Sequence, residues 1–514
     1  MDLHEDINYR IILNDSMNIR IETKYNPRIL VDIDQFELNQ NRITFLFGES
    51  GIGKSIIARA IYGLLDDEIL NIKINTHSYK KYLQQDFVKQ IQKNGFFVFQ
   101  EPSSHLNPML HLSKQLNEGD LISAANEKEI LNRLWRSYSH KTVDSLLNIY
   151  PKPHRPSGGE KQRILLTMAF KKLELFCREK NSTDPNLFIF DEPTGSLDNV
   201  HRNMFLDLLF EKYVQKPFTC LIITHDYSMI SEIMLRHKHL SEKIMFKELS
   251  LQNKNLQLND FAPQIYTNWI NRTSSTRTSD KTKGKLICNL KGGLEIFNRR
   301  LFFSSDSGNK NICPLQVYEN QIVYLKAGSG VGKTTIAKII MGLLKCNKLH
   351  LKFNGFKLDD NSDRNEWRKN VWAKKAGMVF QHADEALNLN SKVSDVFKGL
   401  PLNENVTAEM IKSNLQIVFE DEITDEFLNQ KVASLSGGQK QRLNLLRTLL
   451  LDTQLIILDE PLNGLDFVSM QKILSIILKK KSENKGVLLV SHNEDIFDKV
   501  IDHENILYLF FENI

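Results

Sequence analysis

The stretch ITFLFGESGIGKSIIARAIYGLL, Ile43–Leu65, decides the reading of this chain, and a second version of it, IVYLKAGSGVGKTTIAKIIMGLL, occupies Ile322–Leu344. Each version opens with a short apolar run (Ile43–Phe47, Ile322–Leu325) of buried-strand character, crosses a glycine-rich turn and enters a helix-forming run. A G-x-x-x-x-G-K-[ST] turn between strand and helix offers backbone N–H groups to phosphates. Its lysine reaches the β/γ pair and its hydroxyl serves Mg2+. Gly48, Ser50, Gly51, Gly53, Lys54 and Ser55 fit that pattern in full. In the second version the first glycine is replaced by Ala327, while Gly328, Gly330, Gly332, Lys333, Thr334 and Thr335 remain. If Ala327 needed the positive φ that glycine adopts freely, it would carry a strain of about 1 kcal/mol.

The duplication runs the length of the chain. FVFQEPSSHLNPML carries Gln100 at the end of a short strand, and MVFQHADEALNLN carries Gln381. SGGEKQR starts at Ser157 and SGGQKQR at Ser436. LFIFDEPTGSLD contains Asp191 and Glu192, and LIILDEPLNGLD contains Asp459 and Glu460. LIITHD presents His225, and VLLVSHN presents His492. Lysine and glutamine stand 46 residues apart in one half and 48 in the other; glutamate and histidine stand 33 and 32 apart. Recurrence in this order removes chance as an explanation. The main mismatch, 34 against 23 residues from Ser157 to Asp191 and from Ser436 to Asp459, falls on the charged stretch KKLELFCREKNSTD, which reads as a longer helix and loop. Between the halves, Arg272–Gly284 (RTSSTRTSDKTKG) has no apolar residue and reads as a flexible linker. The expected organisation is a first domain over 1–250, a linker over 251–284 and a second domain over 285–514.

Apolar tetrads ending at acidic residues, Leu187–Phe190 and Leu455–Leu458, have the character of parallel strands covered on both faces. Alternation with helical runs indicates an α/β sheet in each half, with ligands at the carboxyl ends of its strands. There the aspartates Asp191 and Asp459 organise Mg2+, and Glu192 and Glu460 are placed to polarise a water toward a γ-phosphate. An acidic turn after a strand would suffice to explain DE alone; DEP followed by SLD or GLD in both halves favours the chemical role. Ser157, Gly158 and Gly159, like Ser436, Gly437, Gly438 and Gln439, open long helices and offer an anion site, although SGG also serves as an ordinary N-cap. His225 and His492 are read as hydrogen-bonding sensors of the γ-phosphate, and Gln100 and Gln381 as ligand-responsive switches beside the metal. Tyr25, before Gly48, is a candidate to stack on adenine, with Phe302 or Phe303 as its rough counterpart.

Composition narrows the class further. Charged residues form 25% and hydrophobic residues 41% of the chain, a globular balance that excludes wholesale disorder. A net charge of only +5 predicts no dedicated nucleic-acid binder. Five scattered cysteines without a CxxC pair point to reduced thiols rather than disulfides or zinc. The start, MDLHEDINYR, has no signal-peptide character, and no apolar run approaches the ~20 residues needed to span a bilayer. The sequence therefore predicts a soluble intracellular protein, and the 22 residues after His492 predict no regulatory tail in the second half.

The full motif set, in this order, resembles the ATP-binding cassette ATPases over nearly the whole chain. FQEPSSHLNPML looks like the glutamine-loop segment of peptide, nickel and metallophore importers, and FAPQIYTNWI (Phe261–Ile270) is similar to the proline-tyrosine stretch that follows the first cassette in that group. The resemblance implies two tandem P-loop NTPase domains, each with a RecA-like parallel sheet core, a helical signature subdomain and an antiparallel β subdomain. It implies ATP and Mg2+ as cofactors, with two cassettes sandwiching two ATPs head to tail. It implies two transmembrane permease subunits docking near Gln100 and Gln381, an extracytoplasmic substrate-binding protein, and a peripheral location on the cytoplasmic side of the membrane. The first signature departs from the family pattern, PSGGE (Pro156–Glu160) in place of LSGGQ, whereas Leu435–Gln439 keeps it. The expected function is the ATP-hydrolysing subunit of an importer for oligopeptides or nickel and metal chelates. The rival is a soluble twin-cassette factor of the ABC-F type acting on ribosomes; its long charged helical linker is missing here. A chromosome- or repair-type ATPase would need an inserted coiled coil or zinc modules, and neither is present.

Overall fold

In the computed structural model the run ahead of the first glycine-rich turn is a strand, Ile43–Gly48, buried throughout. The structure describes residues 16–25, 27–119, 121, 127–135, 158–179, 184–195, 197–252, 255–274, 284–309, 311–328, 330–401, 407–480 and 483–514. The chain divides into two compact units, Met1–Thr267 and Asn268–Ile514.

In the first unit, Ile43–Gly48 runs parallel to Cys220–Ile223 on one side and to Ile244–Gln252 on the other. Phe188–Asp191 and then Phe96–Val98 extend the parallel order beyond Cys220–Ile223. Both faces of this sheet are covered. Ile57, Ala58 and Ile61 of the helix Lys54–Tyr62 share a core with Leu46, Ile189 and Leu221. On the opposite face, Phe170 of Gly158–Arg178 and Phe205 of Asn199–Gln215 meet the ring of Phe190 at 6.4 and 5.3 Å. Two-sided burial is why these strands read as continuous apolar runs. A separate antiparallel sheet is ordered Ile29–Phe36, Met17–Thr23, Leu70–Ile74, His77–Ser78. Met17–Thr23 alternates buried with exposed residues because only one of its faces meets the core.

The second unit repeats the plan. Gln321–Lys326 lies parallel between Gly486–Val490 and Ile506–Asn513, with Leu455–Asp459 and Ala376–Val379 extending the sheet. Arg299–Ser304 then pairs antiparallel with Ile506–Asn513 and forms a hairpin with Leu294–Ile296. Its antiparallel sheet is ordered Leu315–Tyr318, Leu286–Leu290, His350–Phe353, Phe356–Asp359. Each unit also has a helical portion, which includes Leu112–Gln115, Glu127–Leu134 and Gly158–Arg178 in the first, and Ala408–Val418, Asp425–Asn429 and Gly437–Leu449 in the second. The helix after SGG has 21 residues in the first unit and 13 in the second, which accounts for much of the unequal spacing.

The expected linker 251–284 carries structure over most of its length. Asn255–Asp260 pairs antiparallel with Ile244–Gln252, and Pro263–Ser274 is helical; residues 275–283 lie outside the described residues. Leu256 and Leu258 alternate with polar neighbours on this outer strand and pack against the first core. Phe261 and Tyr266 are buried among aromatic side chains, with Phe261 tilted 5.9 Å from Phe47 and Tyr266 stacked 6.4 Å from Tyr227. Among the described residues no helix is long and apolar enough to cross a membrane, and no His, Cys, Asp and Glu group could hold a metal ion by itself. All five cysteines are free thiols.

Candidate functional site

In each unit the residues of the glycine loop, the Asp-Glu pair and the histidine gather at the carboxyl ends of the parallel strands. The lysine of each loop folds back over it. Lys54 Nζ donates to the carbonyls of Gly48 (2.7 Å) and Glu49 (2.9 Å), and Lys333 Nζ donates to Ala327 (2.5 Å). Burial lowers the Lys54 pKa, opposed by the charges of Glu192 and Asp191. Gly48 holds φ 137°, and a Cβ on it would stand 2.4 Å from the Leu249 carbonyl oxygen. Ala327 has no positive φ, so the strain expected there is absent.

The hydroxyl after each lysine meets the aspartate two strands away. Ser55 Oγ donates to Asp191 Oδ1 at 2.9 Å, and Thr334 Oγ1 donates to Asp459 Oδ1 at 3.1 Å. The second oxygen of each aspartate is buried and accepts no hydrogen bond. Burial pushes both carboxyls up to about 6, against the hydroxyl bonds that lower them. Hydroxyl plus carboxylate, with one acceptor left over, is an oxygen-donor set that fits a small divalent cation. Gln100 and Gln381 stand two residues beyond the paired residues Val98 and Val379, whose partners are Phe190 and Leu458, and so reach the same end of the sheet as the aspartates.

Glu192 and Glu460 both adopt left-handed backbone, φ 48° and 50°, and each N–H donates at 2.9 Å to the neighbouring strand, at Ile223 and Val490. Their carboxylates are held differently. Glu192 Oε1 is paired with His225 Nδ1 at 2.8 Å. Burial lowers the His225 pKa, but the charge and hydrogen bond of Glu192 outweigh it and the net shift is upward. Glu460 Oε2 accepts from Ser491 Oγ (2.9 Å) and from the His492 N–H (3.1 Å), while His492 Nε2 stays 3.7 Å from Oε1. Burial pushes Glu460 up to about 7, against the His492 N–H, Lys333 and Ser491, which lower it. His492 Nδ1 lies 3.4 Å from Lys333 Nζ.

Ser436 is the N-cap of Gly437–Leu449: its hydroxyl accepts from Gln439 N at 3.1 Å, and Gln439 Oε1 accepts from Ser436 N at 2.9 Å. This capping box makes use of the serine within its own helix. In the first unit the helix starts with Gly158 and Gly159, and Ser157 and Pro156 lie outside the described residues. Tyr25 is 80% exposed in the turn between Met17–Thr23 and Ile29–Phe36. Neither expected counterpart is presented in that way: Phe303 is fully buried, and Phe302 stacks on Phe510 at 5.5 Å. The exposed aromatic is Phe297, 73% accessible at the tip of the hairpin whose Arg299 donates to the Gly330 carbonyl at 3.1 Å. Sequence reasoning missed Phe297 because distance from the glycine loop was its only guide, and it missed Ser491, whose one signal was a place beside His492.

Against this geometry, a profile of the ABC transporter family matches residues 31–195 and 311–463. The chain belongs to that family. It is an ATPase built from two ATP-binding cassettes, each with an α/β core. Among curated relatives it is similar to the uncharacterized ABC transporter ATP-binding protein YejF of Escherichia coli, at 26% identity over 93% of this chain and 90% of that protein. It is also similar to the glutathione import ATP-binding protein GsiA of Shigella dysenteriae, at 23% identity over 92% of this chain and 81% of that protein. Among solved structures it resembles the RNase-L inhibitor, with TM-score 0.55 and 16% identity over 92% of this chain and 86% of that one; this likeness concerns the fold.

Proposed function

We propose that this chain is the ATP-hydrolysing, energy-coupling subunit of an importer for oligopeptides or for nickel and other metal chelates. In this reading it sits on the cytoplasmic face of the membrane against two permease subunits, and an extracytoplasmic substrate-binding protein delivers the cargo. The observation that carries the proposal is a match over 90–93% of this chain and 81–90% of the relatives' own length with ABC transporter ATP-binding proteins, one of them named for glutathione import and another, from Agrobacterium fabrum, for peptidoglycan transport. The segment Phe99–Leu110, with its resemblance to peptide and nickel importers, supports the same substrate range.

In the proposed mechanism the loops Gly48–Ser55 and Ala327–Thr335 bind the phosphates through N–H groups, with Lys54 and Lys333 swinging from their carbonyl partners to the β/γ oxygens. Mg2+ held by Ser55, Asp191 and Gln100, and by Thr334, Asp459 and Gln381, supplies charge neutralisation on the phosphates. Glu192 and Glu460 accept the hydrogen bond of the attacking water, and His225 and His492 contact the γ-phosphate. Tyr25 and Phe297 offer faces for adenine. Ser157–Gly159 and Ser436–Gln439 complete the nucleotide contacts when the cassettes pair head to tail.

A tagged chain extracted in mild detergent from its native membranes is expected to bring down two hydrophobic membrane proteins. The ribosome-directed reading has only fold likeness behind it. Recovery of the chain with ribosomal particles, and not with membrane proteins, would establish that alternative and overturn the importer.

A further inference from the structure

We infer that Ser491 is a positioning residue for hydrolysis in the second cassette, selecting which oxygen of Glu460 is offered to water. This rests on the proposed role of Glu460 and adds to it a residue that the sequence reading gave no role. Ser491 lies in the turn after the strand Gly486–Val490 and is 2% exposed. Its oxygen accepts from the Asn493 N–H at 3.1 Å, so its own proton is directed to Glu460 Oε2, 2.9 Å away. With the His492 N–H also on Oε2 at 3.1 Å, that oxygen has two donors from one turn. Glu460 Oε1 is buried and accepts no hydrogen bond. A water presented to this carboxylate therefore meets Oε1 as its acceptor, and the serine keeps the carboxylate from rotating.

The first cassette solves the same problem differently. Thr224 occupies the place of Ser491, and its oxygen likewise accepts from the N–H two residues on, Asp226, at 3.0 Å. Yet Glu192 is turned to the side chain of His225, which holds its Oε1 at 2.8 Å. Orientation of the glutamate thus depends on a histidine side chain in one cassette and on a hydroxyl with a main-chain N–H in the other.

The test is ATP hydrolysis by the full chain in a Glu192→Gln background, where remaining turnover reports Glu460. Losing a hydrogen bond to a charged group predicts that Ser491→Ala lowers kcat about tenfold or more, with KM for ATP changed less than about twofold. Ser491→Thr should restore kcat to within about twofold, since Thr224 shows that the turn accommodates threonine. In the Glu460→Gln background, Thr224→Ala should leave kcat within about twofold of its parent. The inference is overturned if Ser491→Ala keeps its kcat, if threonine is as poor as alanine, if KM rises in parallel, or if Thr224→Ala costs as much. If the alanine variant melts below assay temperature, Ser491→Cys, with its weaker donor, should show the kcat loss, and an unaltered kcat there overturns the inference equally. The reading of Glu460 fails separately, and takes this inference with it, if adding Glu460→Gln to Glu192→Gln leaves turnover unchanged. Turnover lost with Glu460→Gln but kept with Ser491→Ala refutes the role of the serine alone.

Discussion

At the scale of single residues, the two cassettes place carboxylates where water is scarce. Asp459 is fully buried and pushed up to about 6, with one oxygen unbonded. In the unfolded chain the same group titrates at the ordinary aspartate value. Between that value and about 6 the folded protein holds a proton that the unfolded chain has released, so stability is present at low pH and is lost as pH rises through the folded pKa. Without nucleotide or metal, Asp459→Asn is therefore expected to raise the thermal midpoint near pH 8, by up to about 3 kcal/mol of stability, and to leave it nearly unchanged near pH 4. Thermal melts of the metal-free variant and parent at both pH values check this; an equal gain at both would mean that the asparagine acts through packing rather than charge. Asp191, pushed up to about 6 in the same way beside Ser55, should behave alike.

At the scale of elements, the segment that follows the first cassette matters more than its composition suggests. Phe47 precedes Gly48 directly, and Tyr227 follows His225 by two residues, so the stacked pair they form at 4.5 Å joins the phosphate loop to the histidine turn. Phe261 lies against both rings, and Tyr266 stacks on Tyr227. Residues sequence reasoning assigned to a linker thus complete the core behind the first site. Truncating a fully buried aromatic leaves a cavity, and Tyr266→Ala is expected to destabilise the first unit by about 3 kcal/mol. A denaturation transition shifted to lower urea for the first unit would show it; no shift would mean that the helix Pro263–Ser274 contributes little to that core. In the second cassette Lys326 takes the place of Phe47 and forms ion pairs with Glu494 and Asp498, so no equivalent aromatic stack exists there.

At the scale of the whole molecule, sequence differences between the two cassettes become a prediction about unequal work. One of the three departures weighed from sequence has changed value, and one is untested. Ala327 carries no positive φ, and Pro156 falls outside the described residues. Glu160 in place of Gln439 remains, and a new difference joins it: Glu192 bonds its histidine at 2.8 Å, whereas His492 stands 3.7 Å from Glu460 and 3.4 Å from Lys333. With head-to-tail pairing, the first loop, Glu192 and His225 would face the intact Leu435–Gln439 signature. In the assembled complex Glu192→Gln is expected to remove most ATPase activity, on the order of tenfold or more, and Glu460→Gln distinctly less. Equal losses in steady-state phosphate release would mean two equivalent sites.

The duplicated order of glycine loop, glutamine, SGG, DE and histidine determined, with no coordinates at all, that the chain holds two α/β nucleotide cassettes. Such legibility has a physical cause. Strands buried on both faces must be continuously apolar, and a loop that wraps phosphate needs glycine, lysine and a hydroxyl at fixed spacing, so both leave a local trace. Contacts between segments far apart in sequence leave none. Only the tertiary structure decided that Ala327 is unstrained, that Phe297 rather than Phe302 or Phe303 is the exposed aromatic, and that 255–274 belongs to folded structure. It also decided how each glutamate is held. Ser491 and Thr224 are chemically alike and occupy matching places, and which carboxylate oxygen a hydroxyl meets depends on side-chain rotation inside a packed core.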